Sequence, residues 1–500
     1  MTVPTEASGP PAPSSDPDDG WTPRLVLSLA SMLVVIELLS VSYGMVSVDL
    51  PAITTHFATD QGAWLLTAFL LVGAVISPMI GKLADLYGKR RLLLISIAVA
   101  TAGSLISALA PSYGVLVAGR ALQGFLIPCM FLVYSLVRDV FPRNKVALAV
   151  SIATSGLGLV AIPAPWLTGW LIETWGFRSI FWFFVICLVF GWLAIVVTTP
   201  ETPVRLQARV DIVGGVLLGL GIAGVLAAVS FGPRWGWTDI STLAYLLGGV
   251  ALLIGWVVHS RTVSDPLIDL RFFRRRSVLL TGLAAGCAYA TTAAYAAVVP
   301  MMVMVPAEMG LGYGLGMTAK QYAIVHAPSA AAGLIGGLLV GTAIKKLRPR
   351  ILMIVGLLVM SSGVAATAFA HDTKLAIVVV STVTGFGSGM VYACVPNLII
   401  AAVPPQLQAT TSSLVSVMQS GFAAILPVIV FAVLNSHVAM VAKGRSFYTE
   451  TGMSIALFIG AGVLLVGALL ACGLPSRITQ LPTPRSDAGV AGTGKAVAHA

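Results

Sequence analysis

The amino-acid sequence predicts an all-α membrane protein of fourteen transmembrane helices, two halves of six with an inserted pair between them. Three observations predict it. Hydrophobic residues make up 57% of the 500 and charged residues only 10%, too few charges to cover a soluble surface of that size. The mean hydropathy is +0.96. Between polar ends lie fourteen apolar segments of roughly 19–28 residues, each long enough to cross a hydrocarbon core of about 30 Å.

Residues 1–23 are rich in Pro, Ser and Asp and read as a disordered cytoplasmic tail. They lack the basic start and short apolar core of a signal peptide. The spans follow at about 25–48, 62–80, 92–110, 114–137, 147–171, 179–198, 211–231, 240–259, 278–305, 322–344, 351–370, 376–402, 410–433 and 453–474. Pro51, Pro111, Pro142, Pro200, Pro266 and the pair Pro404–Pro405 punctuate them. Residues 475–500 form a second polar tail.

An even number of spans leaves both termini on one side. With the N-terminus inside, 22 of the 29 Lys and Arg residues fall in inner segments and 6 in outer ones, with Arg120 inside a span. The positive-inside rule therefore predicts cytoplasmic termini in a multi-pass cell (inner) membrane protein. It also explains the net charge of +10: the bases are scattered through short loops, with no basic stripe for nucleic acid. Cys129, Cys187, Cys287, Cys394 and Cys472 lie in apolar stretches without CxxC spacing, as small hydrophobes do. No metal set, cofactor motif, nucleophile constellation or phosphate loop stands out, so an enzyme and an ATP-driven pump are both disfavoured.

A faint internal symmetry accompanies the count. Ser155-Gly156 with Pro163 in the fifth span is echoed by Ser420-Gly421 with Pro427 in the thirteenth. Repeat-built transporters show such symmetry. The predicted organisation is a half at 24–200, an inserted pair at 201–260, a cytoplasmic linker at 261–277 and a second half at 278–474.

The densest motif is the loop expected after the second span, Gly81-Lys82-Leu83-Ala84-Asp85-Leu86-Tyr87-Gly88-Lys89-Arg90-Arg91. It reads as a tight turn in which Gly81 allows close helix approach and Gly88 supplies a positive-φ position. Asp85 is suited to accept hydrogen bonds from a helix N-terminus or a nearby Arg. Here the chain resembles the major facilitator superfamily, whose signature lies between helices two and three. Arg120-Ala121-Leu122-Gln123-Gly124 resembles its R-x-x-Q-G motif, and Gly156 to Gly169 its antiporter motif. Trp64-Leu65-Leu66-Thr67-Ala68-Phe69 and Val210-Asp211-Ile212-Val213-Gly214 resemble its fourteen-helix drug:proton antiporters.

The resemblance implies the major facilitator fold and a cytoplasmic gate built from Gly81, Asp85, Gly88, Lys89, Arg90 and Asp139. It also implies an antiporter element at Gly156, Gly158, Pro163, Pro165 and Gly169. Two departures stand out. Ala164-Pro165-Trp166-Leu167-Thr168-Gly169 stands where the family reads G-P-x-x-G-G. Ser42 stands where the first helix usually carries Asp, with Asp49-Leu50-Pro51 ending the helix.

Among the acids, only Glu37 falls near the centre of a span, and among the bases only Arg120 lies well inside one. A charge at that depth costs at least about 2.5–3.5 kcal/mol, which marks both as proton-coupling candidates. Ser42, Tyr43, Gln123, Phe125 and Trp166 are candidate cavity-lining residues. The expected function is proton-coupled export of amphipathic or cationic organic compounds by alternating access. The alternative is export or flipping of a lipid or endogenous metabolite with different energisation. The expected partners are a small-molecule substrate, protons and the bilayer, for a protein acting as a monomer without a cofactor.

Overall fold

Backbone groups in hydrocarbon must be satisfied within the segment that carries them, so long apolar stretches become helices. The computed structural model describes residues 21–59, 63–155, 163–202, 209–268, 276–344, 346–442 and 445–475. Both expected tails fall largely outside them. The first eight helices are α1 (Pro23–His56), α2 (Ala63–Tyr87), α3 (Lys89–Ala108), α4 (Tyr113–Gln123), α5 (Leu126–Val140), α6 (Arg143–Ser155), α7 (Ala164–Trp175) and α8 (Arg178–Thr198). Next come α9 (Ile212–Trp235) and α10 (Ile240–Thr262). The last six are α11 (Arg276–Val303), α12 (Ala319–Ala343), α13 (Pro349–Thr367), α14 (Lys374–Ala402), α15 (Gln408–Asn435) and α16 (Glu450–Cys472).

Thirteen helical stretches among the described residues are long and apolar enough to cross a membrane, with α4 and α5 forming one of them. The fifth expected span, 147–171, falls on α6 and α7 at either side of residues 156–162.

Several boundaries differ from expectation. The first helix runs through Pro51 to His56. The fourth span is interrupted, because the chain tightens at Gly124–Phe125 between α4 and α5. A Cβ on Gly124 would lie 2.5 Å from the Phe69 carbonyl, so α2 crosses there at backbone distance. The segment Gly81–Tyr87 is no loop: it continues α2 as helix, and only Gly88, at φ 114°, makes the turn into α3. A hairpin not foreseen in the sequence, β1 (Val438–Ala442) with β2 (Arg445–Tyr448), pairs antiparallel between α15 and α16.

Two large apolar cores form. One is built from residues between Leu29 and Ile195, joined by Ala409 of α15. The other is built from residues between Val278 and Leu474. A third, small core joins Ala74 of α2, Leu218 and Ile222 of α9, Trp256 of α10, Leu267 and Ile268 beyond α10, and Leu414 of α15. The α9–α10 pair therefore lies along the seam between α2 and α15. Small residues let membrane helices approach closely, and α14 uses them on two sides. Gly385 and Gly389 press on the Ser329 and Gly333 carbonyls of α12, and Gly387 on the Met360 backbone of α13.

Candidate functional site

The site begins with a helix that lacks a cap. After Pro404–Pro405 and a short 3₁₀ turn, α15 starts at Gln408, and its N-cap position is Leu407, which has no side-chain acceptor. Its first N–H groups would be orphaned. The acceptor comes from the other half of the molecule. Asp85, 1% exposed near the end of α2, accepts from Ala409 N at 3.2 Å, Thr410 N at 2.8 Å and Thr410 Oγ1 at 2.8 Å. A carboxylate at a helix N-terminus is favoured by both hydrogen bonds and the helix dipole.

One turn earlier, Gly81 makes that approach possible. A Cβ there would lie 2.7 Å from Ser413 Oγ and 2.9 Å from the Ala409 carbonyl. Lys89 Nζ, fully buried, donates to Asp139 Oδ2 at 2.6 Å and to the Pro405 carbonyl at 2.9 Å. Thr202 Oγ1 donates to the same Asp139 oxygen at 2.7 Å. Arg138 Nη1 reaches Gln408 Oε1. Arg90 turns the other way: its Nη2 donates to Val196 O at 2.7 Å and its backbone N–H to Glu201. Gly81, Asp85, Lys89 and Asp139 thus share one bolt across the halves, while Arg90 ties α3 to the end of α8.

Arg120 on α4 is completely buried. Its Nε donates to Leu65 O at 3.2 Å, its Nη1 to Ser42 Oγ at 2.9 Å and to Gln123 Oε1, and its guanidinium lies 4.5 Å over the Phe69 ring. Those acceptors are all neutral. Ser42, at the position where the family usually has Asp, is therefore a direct partner of this base. Glu37, 8% exposed, lies on the same helix within electrostatic reach of Tyr134 on α5. Five residues separate Glu37 from Ser42, about 140° around a helix, so α1 directs them to different neighbours.

Beyond the bolt lies a small cavity between the halves. Tyr134 and Phe131 of α5, Tyr289 of α11, Tyr392 of α14 and Ser416 and Gln419 of α15 are among its lining residues. The Tyr289 and Tyr392 rings lie 4.6 Å apart, and Thr292 Oγ1 bonds the Tyr392 hydroxyl. Of the lining predicted from sequence, none borders this cavity. Ser42 and Gln123 hold Arg120, Phe125 packs on the first core, and Tyr43 and Trp166 are 42% and 67% exposed.

The antiporter element is described only in part. Gly156 and Gly158 lie outside the described residues. Pro163 and Pro165 sit at the start of α7, and a Cβ on Gly169 would meet nothing within 4 Å. Sequence reasoning missed Thr410, Tyr289 and Tyr392. The uncapped start of α15 was a usable signal for the first; the two tyrosines carried none beyond their type.

The arrangement is a small cavity between the two halves with a bolt at one end. The model of the Major Facilitator Superfamily matches residues 32–427. The multidrug resistance protein Stp of Mycobacterium tuberculosis is 30% identical over 402 residues, 79% of this chain and 72% of that protein. A probable actinorhodin transporter of Streptomyces coelicolor is 27% identical over 396 residues, 75% of this chain and 66% of that one. Among solved structures, the human organic anion transporter MFSD10 superposes with a TM-score of 0.62 at 13% identity, covering 90% of this chain and 98% of its own, a likeness of fold. The chain belongs to the Major Facilitator Superfamily and is a multi-pass membrane transporter, not an enzyme.

Proposed function

We propose that this transporter exports amphipathic or cationic organic compounds in exchange for protons by alternating access, from a cell membrane with both termini in the cytoplasm. The observation that carries the reading is the Asp85 bolt on the start of α15. It joins two helices from opposite halves through contacts that must part for that end to open, a local electrostatic switch between two packed states. The charge asymmetry of the loops supports a cytoplasmic position for this bolt. The cavity sets tyrosine rings and aliphatic side chains beside the polar groups of Ser412, Ser416 and Gln419, a mixture that supports amphipathic substrates.

Glu37 is the proton carrier in this reading, protonated from one side and discharged to the other. Arg120, held by Ser42 and Gln123, steadies α4 against α1 and α2 during the exchange. The gate residues are Gly81, Asp85, Lys89 and Asp139, with Gly88 turning the chain and Arg90 anchoring it. The transporter acts as a monomer.

The test is a substrate screen in inverted vesicles under an imposed pH gradient. Glu37→Gln is expected to insert normally and to lose gradient-driven uptake. Undiminished gradient-driven transport by that variant would remove Glu37 from the mechanism. A second reading, export of an endogenous metabolite, is favoured by the likeness to the Streptomyces protein named as an actinorhodin transporter; the compounds accumulating in a deletion strain separate the two.

A further inference from the structure

The inserted helices α9 and α10 have no part in the bolt as described, yet they are tied to it by one carboxylate. Asp211, the N-cap of α9 and 8% exposed, accepts from Gly214 N at 2.7 Å. A Cβ on Gly214 would collide with that carboxylate, which accounts for the pairing of Asp and Gly three residues apart. Asp211 also accepts from His259 Nε2 at 2.9 Å, near the end of α10, and from Leu267 N at 3.1 Å, in the segment beyond it. One side chain therefore holds the start of α9, the end of α10 and the chain leaving the pair.

That departing chain touches the gate on both sides. Lys82, inside the gate motif and one residue from Gly81, donates to the Pro266 carbonyl at 3.2 Å. Leu267 and Ile268, 1% and 0% exposed, pack in the small core with Ala74 of α2 and Leu414 of α15. Leu414 lies one turn along α15 from Thr410, the residue Asp85 holds. Residues 266–268 thus bridge the seam that must widen when α2 and α15 separate.

We propose that Asp211 is a positioning residue of the gate: through Leu267 it holds residues 266–268 across the α2–α15 seam, making the inserted pair a second clasp beside the Asp85 bolt. The inference rests on the gate reading above. Opening then requires two releases, Thr410 from Asp85 and Pro266 from Lys82, and the α9–α10 pair stabilises the closed state from the membrane side.

The test measures maleimide labelling of Ser413→Cys, a buried position facing Gly81, in full-length protein in nanodiscs with the exposed Cys472 replaced by Ser. Asp211→Asn keeps one oxygen for Gly214 N and His259 but turns its NH₂ group toward Leu267 N–H; Lys82→Met removes the donor to Pro266. Losing a hydrogen bond from the closed state predicts labelling roughly three- to tenfold faster in each. Because both act through one segment, the double variant labels no faster than the faster single. His259→Ala, which loosens the pair but leaves the Asp211–Leu267 hydrogen bond in place, raises the rate less than Asp211→Asn does.

Unchanged rates in both single variants, a multiplicative double variant, or an equal effect of His259→Ala would each overturn the clasp. Asp85→Asn is the control for the gate itself: faster labelling there with no response at Asp211 and Lys82 rejects the clasp alone. No response to Asp85→Asn rejects the gate reading and the clasp with it. If Asp211→Asn does not fold, Lys82→Met and His259→Ala decide the question.

Discussion

Adding a single methyl group at Gly81 should open the gate. Its Cβ would lie 2.9 Å from the Ala409 carbonyl, a backbone atom that cannot rotate away, and 2.7 Å from Ser413 Oγ. Restoring ordinary contact requires α15 to retreat from α2 by about half an ångström or more. The Asp85–Ala409 hydrogen bond, already 3.2 Å long, then passes out of bonding range. Overpacking of this kind costs about 1–3 kcal/mol. Borne only by the closed state, that cost moves the open-to-closed ratio by roughly 5- to 150-fold.

The measurement is a spin-label distance distribution between Arg91→Cys, exposed at the start of α3, and Arg348→Cys, exposed before α13. A longer-distance population is expected to appear in Gly81→Ala and to shrink when Ser413→Gly removes the side-chain part of the collision. An unchanged distribution in a folded Gly81→Ala protein would mean that this contact is not part of a gate.

Three other outcomes follow from the same geometry. Asp49 is 1% exposed, lies three residues beyond the apolar stretch Pro23–Val46, and neither carboxyl oxygen has a hydrogen-bond partner among the described residues. Burial pushes its pKa up to about 6, so the neutral form is the one the fold favours and stability is lost as pH rises through about 6. Wild-type Tm should fall across that window and Asp49→Asn should flatten the fall. Asp211 behaves oppositely: burial raises its pKa, but hydrogen bonds from Gly214, His259 and Leu267 outweigh that and hold it below the ordinary value of 3.8. Its contribution is present above pH 3.8 and lost as pH falls through the lower folded value, which the acid limb of an unfolding curve for Asp211→Asn should lack. Ser42→Ala orphans a donor on the fully buried Arg120 and should cost about 1.5–3 kcal/mol in denaturant unfolding.

The transmembrane architecture was legible because hydrocarbon imposes a simple rule: length and apolarity alone mark Ile240–Thr262 as a crossing, whatever it packs against. The gate motif was legible as chemistry, since Asp85 beside Gly81 reads as a carboxylate on a close-packed turn. Its partner was not, because Thr410 lies 325 residues further along the chain and meets Asp85 only when the halves dock. Gly81–Tyr87 read as a loop from its charges, yet it is helix, because Lys82 and Asp85 find partners across the seam instead of water. The hairpin at 438–448 escaped notice because short strands leave a weak pattern beside long apolar spans. Tyr289 and Tyr392 look like any aromatic in a membrane helix; only the folded arrangement puts them on the same wall.

The glycines of α14 bear on how force travels through the second half. Where Gly385 and Gly389 rest on the α12 carbonyls, no side chain lies between the two backbones to rotate, compress or slip. Flexible packing would act as a cushion and dissipate a push over a few rotamer changes; bare backbone contact has no such slack. The same helix carries Tyr392 at the cavity wall. In the proposed function, a substrate pressing on Tyr392 would therefore move α12 and α14 together, as a stiff lever rather than a yielding wall.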